Sequence, residues 1–241
     1  RLRQHLQRLD NSLAAIGMAN PLGAADWEPI FARLIAGGGD QAIYLQITRG
    51  VAPRDHAFPA DVAPTVFAYS QPLQYPEPGL LRAGVAAVSV QDIRWARCDI
   101  KAIALLANVL MRQQALARGA YEAILVRDGY VTEGAASNIF VVHAARLRTP
   151  ARGPYILPGV TRDLILELAR GNGIACDEAP VSAAELAGAD EIWMTSSTKE
   201  ILPITRLDDR PVGTGTPGAL HVRLAALYRD YKDAFRAGRA E

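Results

Sequence analysis

Lysine is the scarce basic residue of this chain. Among 26 lysines and arginines only Lys101, Lys199 and Lys232 are lysines, so any chemistry that needs an amine rests on three positions. Lys101 stands in RCDIKAIALLANVL, behind a strand-like run and a turn, where the spacing predicts the start of an apolar helix from Ala102 with Ile103, Leu106, Leu110 and Ala117 on its inner face. The positive end of a helix dipole disfavours an ammonium, and partial burial adds to that effect. A lysine held in this way suits Schiff-base chemistry, because only the neutral amine attacks a carbonyl. Position alone also fits a snorkelling lysine, or one paired with Asp99.

Other residues offer complementary chemistry. Glu133, in VTEGAASNIF, lies in a Thr-Glu-Gly turn beside small residues that let a flat ligand approach. Thr161, in GVTRD, is expected to cap a helix whose free N–H groups suit a phosphate. The hydroxyl-rich TSSTKE, directly after a strand, is a second cradle of that kind. In TRGVAPRDHAFP, Arg54 and His56 set a fork of donors beside an imidazole, a pairing that suits a planar carboxylate. Each motif by itself reads equally as ordinary turn or surface-loop chemistry. The two cysteines and four histidines, His5, His56, His143 and His221, have no ligand spacing, so no metal site is expected.

The ordered set is more specific than its parts. CDIK, YEAIL, VTEG-x-x-SN-x-F, ILPGVTRD and TSST-x-E together resemble the fold-type IV enzymes that depend on pyridoxal 5'-phosphate. These comprise D-amino-acid aminotransferases, branched-chain aminotransferases and aminodeoxychorismate lyases. The resemblance runs from residue 1 to beyond residue 205.

It implies a role for each matched position. Lys101 matches the lysine that carries the cofactor as a Schiff base and moves a proton at the substrate. Glu133 matches the carboxylate facing the pyridine nitrogen, whose charge keeps that nitrogen protonated. Arg8, in HLQR, matches the phosphate-binding arginine of an H-x-x-R helix. Val160 and Thr161 match the helix-start phosphate cradle, and Ser196 and Ser197 the second one. Ser137 matches a cofactor contact, Leu157 packs against the pyridine ring, and Arg94, in DIRW, supports Glu133 through a buried network. The Arg54–His56 loop resembles the substrate-carboxylate trap of the D-amino-acid aminotransferases, and it implies a homodimer in which the loop serves the neighbouring subunit.

The implied reaction is transamination between a D-amino acid of the D-alanine type and a 2-oxo acid such as 2-oxoglutarate. The alternatives are another fold-type IV activity (a branched-chain L-amino-acid or (R)-amine transaminase, or the lyase) and a truncated, inactive remnant. Ala135 and Ala136 stand where relatives often carry serine. The chain opens directly in helical periodicity, Leu2, Leu6, Leu9, Leu13 and Ile16, without an initiator Met, and so reads as starting within a domain. The resemblance implies a preceding strand and an F-G-D-G-x-Y-E-like segment whose tyrosine helps bind substrate.

The elements that must position these residues follow from periodicity. Two helices open the chain, the second being AADWEPIFARLIAGGG. AIYLQITRG then alternates as a strand, and TVFAYSQPL and GVAAVSVQDIRW give two more. Asp128-Gly129 between apolar runs signals a hairpin. NIFVVHAARLRTP reads as one strand, TRDLILELARGNG as a helix, EIWMT as a strand and HVRLAALYRDYKDAF as a closing helix. The expected class is α+β, with two small α/β domains, mixed but largely antiparallel sheets, and the cofactor at their interface. The expected boundaries are an N-terminal domain 1–75, a proline-rich connector 76–84 and a cofactor domain 85–241.

Composition excludes several other classes. Half the residues are hydrophobic, 21% are charged and the formal net charge is +1, so nucleic acid and anionic membrane are not expected partners. No apolar run approaches the roughly 20 residues that span a bilayer. The two cysteines read as reduced thiols of a cytoplasmic protein.

Overall fold

The computed structural model describes residues 1–239. Chain contacts divide the molecule into two compact units, Leu2–Tyr75 and the chain from Pro76 onward together with Arg1.

The first unit contains α1 (Leu2–Ala15), α2 (Ala24–Leu34), β1 (Gln41–Thr48) and β2 (Thr65–Pro72). Leu6, Trp27 and Phe31 form its buried centre. Ile43, Leu45 and Ile47, alternate residues of β1, pack against them, as the period-two reading requires. β1 and β2 pair antiparallel with Thr48 opposite Thr65, so residues 49–64 leave and return at one point. A β-carbon on Gly50, which has φ +122°, would lie 2.4 Å from the Ala63 carbonyl oxygen. Only glycine lets the two ends of the loop meet there. Arg49 donates to the carbonyls of Ile16 and Gly17 and lies 3.7 Å above the Phe58 ring, which ties the base of the loop to the end of α1.

The second unit is built on one nine-stranded mixed sheet. In chain order its elements are α3 (Pro78–Ala83), β3 (Val85–Gln91), α4 (Leu106–Ala117), β4 (Glu122–Arg127), β5 (Tyr130–Gly134), β6 (Asn138–His143), β7 (Arg146–Thr149), α5 (Val160–Gly171), β8 (Cys176–Glu178), α6 (Ala183–Ala187), β9 (Glu191–Ser196), β10 (Glu200–Leu207), β11 (Arg210–Pro211) and α7 (Ala219–Arg236). The strand order is β5-β4-β3-β10-β9-β6-β7-β8, with β11 on β10. β3 runs parallel to β4 and β10, and β7 to β8; the remaining pairs are antiparallel. Ile165, Leu166 and Leu224 of α5 and α7 cover Phe140, Val142, Trp193 and Ile201. Met111 and Ala115 of α4 cover Val88, Val90 and Leu125. The α+β class with a mixed sheet holds.

Four differences from the sequence reading have a clear physical cause. The connector segment contains a short helix, α3, with proline in its first turn, where a missing N–H costs nothing. NIFVVHAARLRTP is a hairpin rather than one strand, because Ala144 and Ala145 both take positive φ, 47° and 60°, and turn β6 into β7. ILPITRL, left unassigned, is β10, buried on both faces between β3 and β9, and so shows no alternation.

The fourth difference concerns α4. It begins at Leu106, not Ala102, and its buried residues are Met111 and Ala115. Ile103, Leu106 and Leu110 are exposed instead. Its polar residues, Asn108, Arg112, Gln113 and Gln114, are spread around the helix between apolar ones, so periodicity could not select a face. Contact with β3 and β4 selects the one carrying Ala107, Met111 and Ala115. Among the described residues no helix is long and apolar enough to cross a membrane.

Candidate active site

A buried chain of polar groups forms where β3 and β5 end and β6 begins, near the start of α5. Glu133, on β5, is 6% exposed. Arg94 Nη1 donates to its Oε1. Its Oε2 accepts from Asn138 Nδ2 at 3.1 Å and from the Leu157 backbone N–H at 3.0 Å. An ionised carboxylate has about four lone-pair sites, and these three donors leave one. Burial pushes the Glu133 carboxyl up to about 7, against the lowering pull of the Arg94 charge and hydrogen bond and the Leu157 N–H.

Arg94 reaches Glu133 because Asp92 and Thr132 hold it. Asp92 Oδ1 accepts from Arg94 Nε at 3.0 Å and Asp92 Oδ2 from Nη2 at 2.8 Å. Thr132 Oγ1 donates to Asp92 Oδ2 at 2.8 Å, and the Tyr155 carbonyl accepts from Nη2 at 2.9 Å. Burial by itself would raise Asp92, yet the hydrogen bonds and charge of Arg94, with the Thr132 hydroxyl, hold it well below the usual carboxylate range. Arg127 adds a second cation 3.2 Å from Asp92 Oδ1 and stacks on the Tyr155 ring.

Asn138 joins this network to the start of α5. Its amide donates both to Glu133 and to the Leu157 carbonyl, at 2.9 Å, so the 157–160 turn and the carboxylate share one brace. The cap of α5 is Gly159, not Thr161, and it offers no side-chain cap hydrogen bond. The packing explains why: a β-carbon on Gly159 would lie 2.0 Å from Asn138 Oδ1, so no capping side chain fits there. Val160 and Thr161 are the first two helical residues, both 7% exposed. A helix start without a side-chain cap leaves its leading N–H groups for another acceptor.

β6 pairs with β9 so that Asn138 faces Thr195. This sets Ser196, at the end of β9, beside the same end of the sheet. Ser196 is half-buried and its Oγ accepts from the Lys199 N–H at 3.2 Å; Ser197 is exposed in the turn. The neighbouring Thr195 hydroxyl is buried without a partner.

Ser137 is buried, but its hydroxyl donates to Glu122 Oε2 at 2.9 Å, and Gly134 is pressed against it. Lys101 differs from expectation. It lies in the loop between β3 and α4, five residues before the helix begins, and it is exposed. Neither a helix N-terminus nor burial therefore surrounds it. What fixes its loop is the Cys98 N–H on the Pro154 carbonyl, 2.7 Å, the buried Ile100, and Asn108 Nδ2 on the Ala135 carbonyl, 2.8 Å.

Arg8, Arg54 and His56 lie in the first unit. Arg8 is on α1, 3.4 Å from His5 Nδ1. Arg54 and His56 are exposed in the 49–64 loop, where the His56 N–H donates to Asp55 at 2.6 Å. Sequence reasoning missed Asp92, Thr132 and Arg127, and it saw Asn138 only as a motif letter. The one available signal was an Asp-x-Arg pair closing a strand, which is too common to be read.

With this geometry in view, similarity identifies the class. Residues 1–207 match the family described as Amino-transferase class IV. The chain is 42% identical over 221 residues to the D-alanine aminotransferase of Bacillus licheniformis, covering 91% of this chain and 78% of that protein. It is 36% identical over 226 residues to the D-alanine aminotransferase of Listeria monocytogenes, covering 92% and 78%. Among solved structures, the branched-chain amino acid aminotransferase of Escherichia coli superposes with TM-score 0.86 at 27% identity, covering all of this chain and 81% of the other. That of Thermoproteus uzoniensis gives TM-score 0.87 at 28% identity, covering 100% and 80%. The chain belongs to the class IV aminotransferases, enzymes that use pyridoxal phosphate. The residues present fit such a group: a buried carboxylate with one acceptor site left suits a pyridine N–H, and an uncapped helix start beside serine hydroxyls suits a phosphate.

Proposed function

We propose that the protein transfers an amino group between a D-amino acid of the D-alanine type and a 2-oxo acid such as 2-oxoglutarate. The observation that carries this reading is the braced Glu133 beside the uncapped start of α5, in a chain with 42% identity to a D-alanine aminotransferase. Pyridoxal phosphate, when bound, supplies an electron sink for the pair left at the substrate α-carbon. Glu133 would take the pyridine nitrogen and keep a proton on it. The Val160 and Thr161 N–H groups, with Ser196 and Ser197, would hold the phosphate, and Leu157 would pack against the ring. Lys101 would be the covalent anchor, and its Nζ would move the proton at the substrate α-carbon. Ser137 serves from behind the 134–137 turn, since its own proton is engaged by Glu122.

Arg8, as a phosphate ligand, and Arg54 with His56, as the trap for the substrate carboxylate, enter the proposal from their motifs. The same reading makes the protein a cytoplasmic homodimer. Support for a second copy comes from α4, whose outer face exposes Leu106, Val109 and Leu110 beside Ile103 and Leu105, an apolar patch of the kind that marks an interface.

A second reading, transamination of branched-chain L-amino acids, is favoured by the two structural neighbours. The Arg54-x-His56 loop favours the D-specific one. Purified protein loaded with pyridoxal phosphate and given D-alanine and 2-oxoglutarate should form pyruvate, and L-leucine should not serve as donor. Turnover of L-leucine with none of D-alanine would overturn the assignment.

A further inference from the structure

The Asp92–Arg94–Glu133 cluster holds two carboxylates and one guanidinium, and the guanidinium is divided unequally. Asp92 takes the fork of Arg94 formed by Nε and Nη2, at 3.0 and 2.8 Å, while Glu133 receives Nη1 alone. Two-pronged Arg–carboxylate pairs are the strong ones. The carboxylate that takes the fork is therefore committed to the arginine, and the other is held by one prong with Asn138 and Leu157 as its remaining donors. All three charged groups are buried, Asp92 at 6%, Arg94 at 7% and Glu133 at 6% exposed. Water cannot redistribute the charge there, and the hydrogen-bond partition decides it.

We infer that Asp92 is a positioning residue for Glu133: by occupying the fork of Arg94 it leaves Glu133 braced in place with a single-pronged ion pair instead of a two-pronged one. The inference rests on the proposed facing of Glu133 to the pyridine nitrogen. A carboxylate neutralised by a full arginine fork is a weak base and a poor partner for a ring N–H. One that shares its arginine with a second carboxylate keeps enough unneutralised negative charge to hold that proton on the ring. The other titratable groups facing the cluster are Arg127, which offsets the second negative charge at Asp92 Oδ1, and Cys98, whose thiol is pushed up by burial. Thr132, which donates to Asp92, and the Tyr155 carbonyl, which accepts from Arg94, bring no charge of their own.

The test uses Asp92→Asn in the full chain. In the apoprotein, the Glu133 carboxyl, followed by ¹³C NMR and assigned by its absence in Glu133→Gln, should titrate roughly one pH unit lower once Arg94 is released to it. In the loaded enzyme, kcat with D-alanine should fall by about 10-fold, with the affinity for pyridoxal phosphate unchanged. Adding Asp92→Asn to Glu133→Gln should cost nothing further, because the effect runs through Glu133. An unmoved titration, or an equal loss of activity in the Glu133→Gln background, overturns the inference. Should Asp92→Asn fail to fold, the charge-balanced pair Asp92→Asn with Arg127→Gln should shift the titration in the same direction by less, and no shift counts against the inference. Normal turnover in Glu133→Gln would instead defeat the pyridine-nitrogen assignment, while the apoprotein titration still judges Asp92.

Discussion

Gly159 lies against the amide of Asn138 so closely that a β-carbon would stand 2.0 Å from Asn138 Oδ1. The contact joins two functions of the fold. Asn138 braces Glu133 and the Leu157 carbonyl, and Gly159 opens α5 without a side chain of its own. Gly159 has φ −71°, so the need for glycine is one of space rather than of backbone conformation. Gly159→Ala should displace Asn138, cost about 1–3 kcal/mol of stability as an overpacking change, and weaken cofactor affinity at the same time. Urea unfolding and equilibrium titration with pyridoxal phosphate check the two effects, and unchanged values for both would refute the coupling.

Lys101→Ala should remove transamination and the visible absorption of the lysine-bound cofactor while leaving the unfolding free energy of the apoprotein within about 0.5 kcal/mol of the parent, since an exposed loop side chain carries little packing. Retention of that absorption would transfer the role to Lys199 or Lys232.

Glu133→Gln should reduce kcat by about 100-fold, as loss of a group aimed at developing charge does, with a much smaller effect on cofactor affinity. Arg8→Ala and Ser197→Ala should show the reverse order. Steady-state kinetics beside cofactor titration separates the two patterns.

Two buried groups give the apoprotein opposite pH responses. Burial raises Glu133 to about 7, so its protonated form suits the fold. Its contribution is fully present below the ordinary glutamate range and is lost as pH rises through 7. Burial lowers the His221 imidazole, so its contribution is present above the ordinary histidine value and is lost as pH falls through the lowered one. Unfolding free energy measured from pH 4.5 to 8.5 should fall towards both ends. Glu133→Gln should flatten the alkaline side and His221→Gln the acid side; a Glu133→Gln profile that still falls above pH 6 would show the carboxyl is not its source.

Arg54→Ala should raise KM for every α-carboxylate substrate by about 10- to 100-fold, the weight of a hydrogen bond to a charged group, and leave kcat near normal because that contact exists in ground and transition states alike. A mixed dimer of Arg54→Ala and Lys101→Ala subunits tests whether the loop serves its neighbour. If it acts in trans, the one lysine-bearing site has an intact Arg54 and works normally. If it acts in cis, the mixed dimer is as impaired as Arg54→Ala itself.

The residues proposed for the chemistry stood out in the sequence because the family resemblance sets a lysine, a carboxylate and two candidate phosphate cradles in a fixed order along the chain. The Asp128-Gly129 hairpin was equally legible, since positive φ at both residues, 51° and 83°, is a local demand met by local residue types. The alternating β1 was legible because one face packs on Trp27 and Phe31. The inner face of α4 was not, for a helix whose polar and apolar residues are mixed around its axis takes its orientation from what it meets. β10 was not, because a strand buried on both sides loses its alternation. Nor could one dimension show that Asp92 takes the fork of Arg94 and Glu133 a single prong, since that division depends on where β3 ends relative to β5. The sequence determined which groups are present, and the tertiary structure decided how one buried positive charge is shared between two carboxylates.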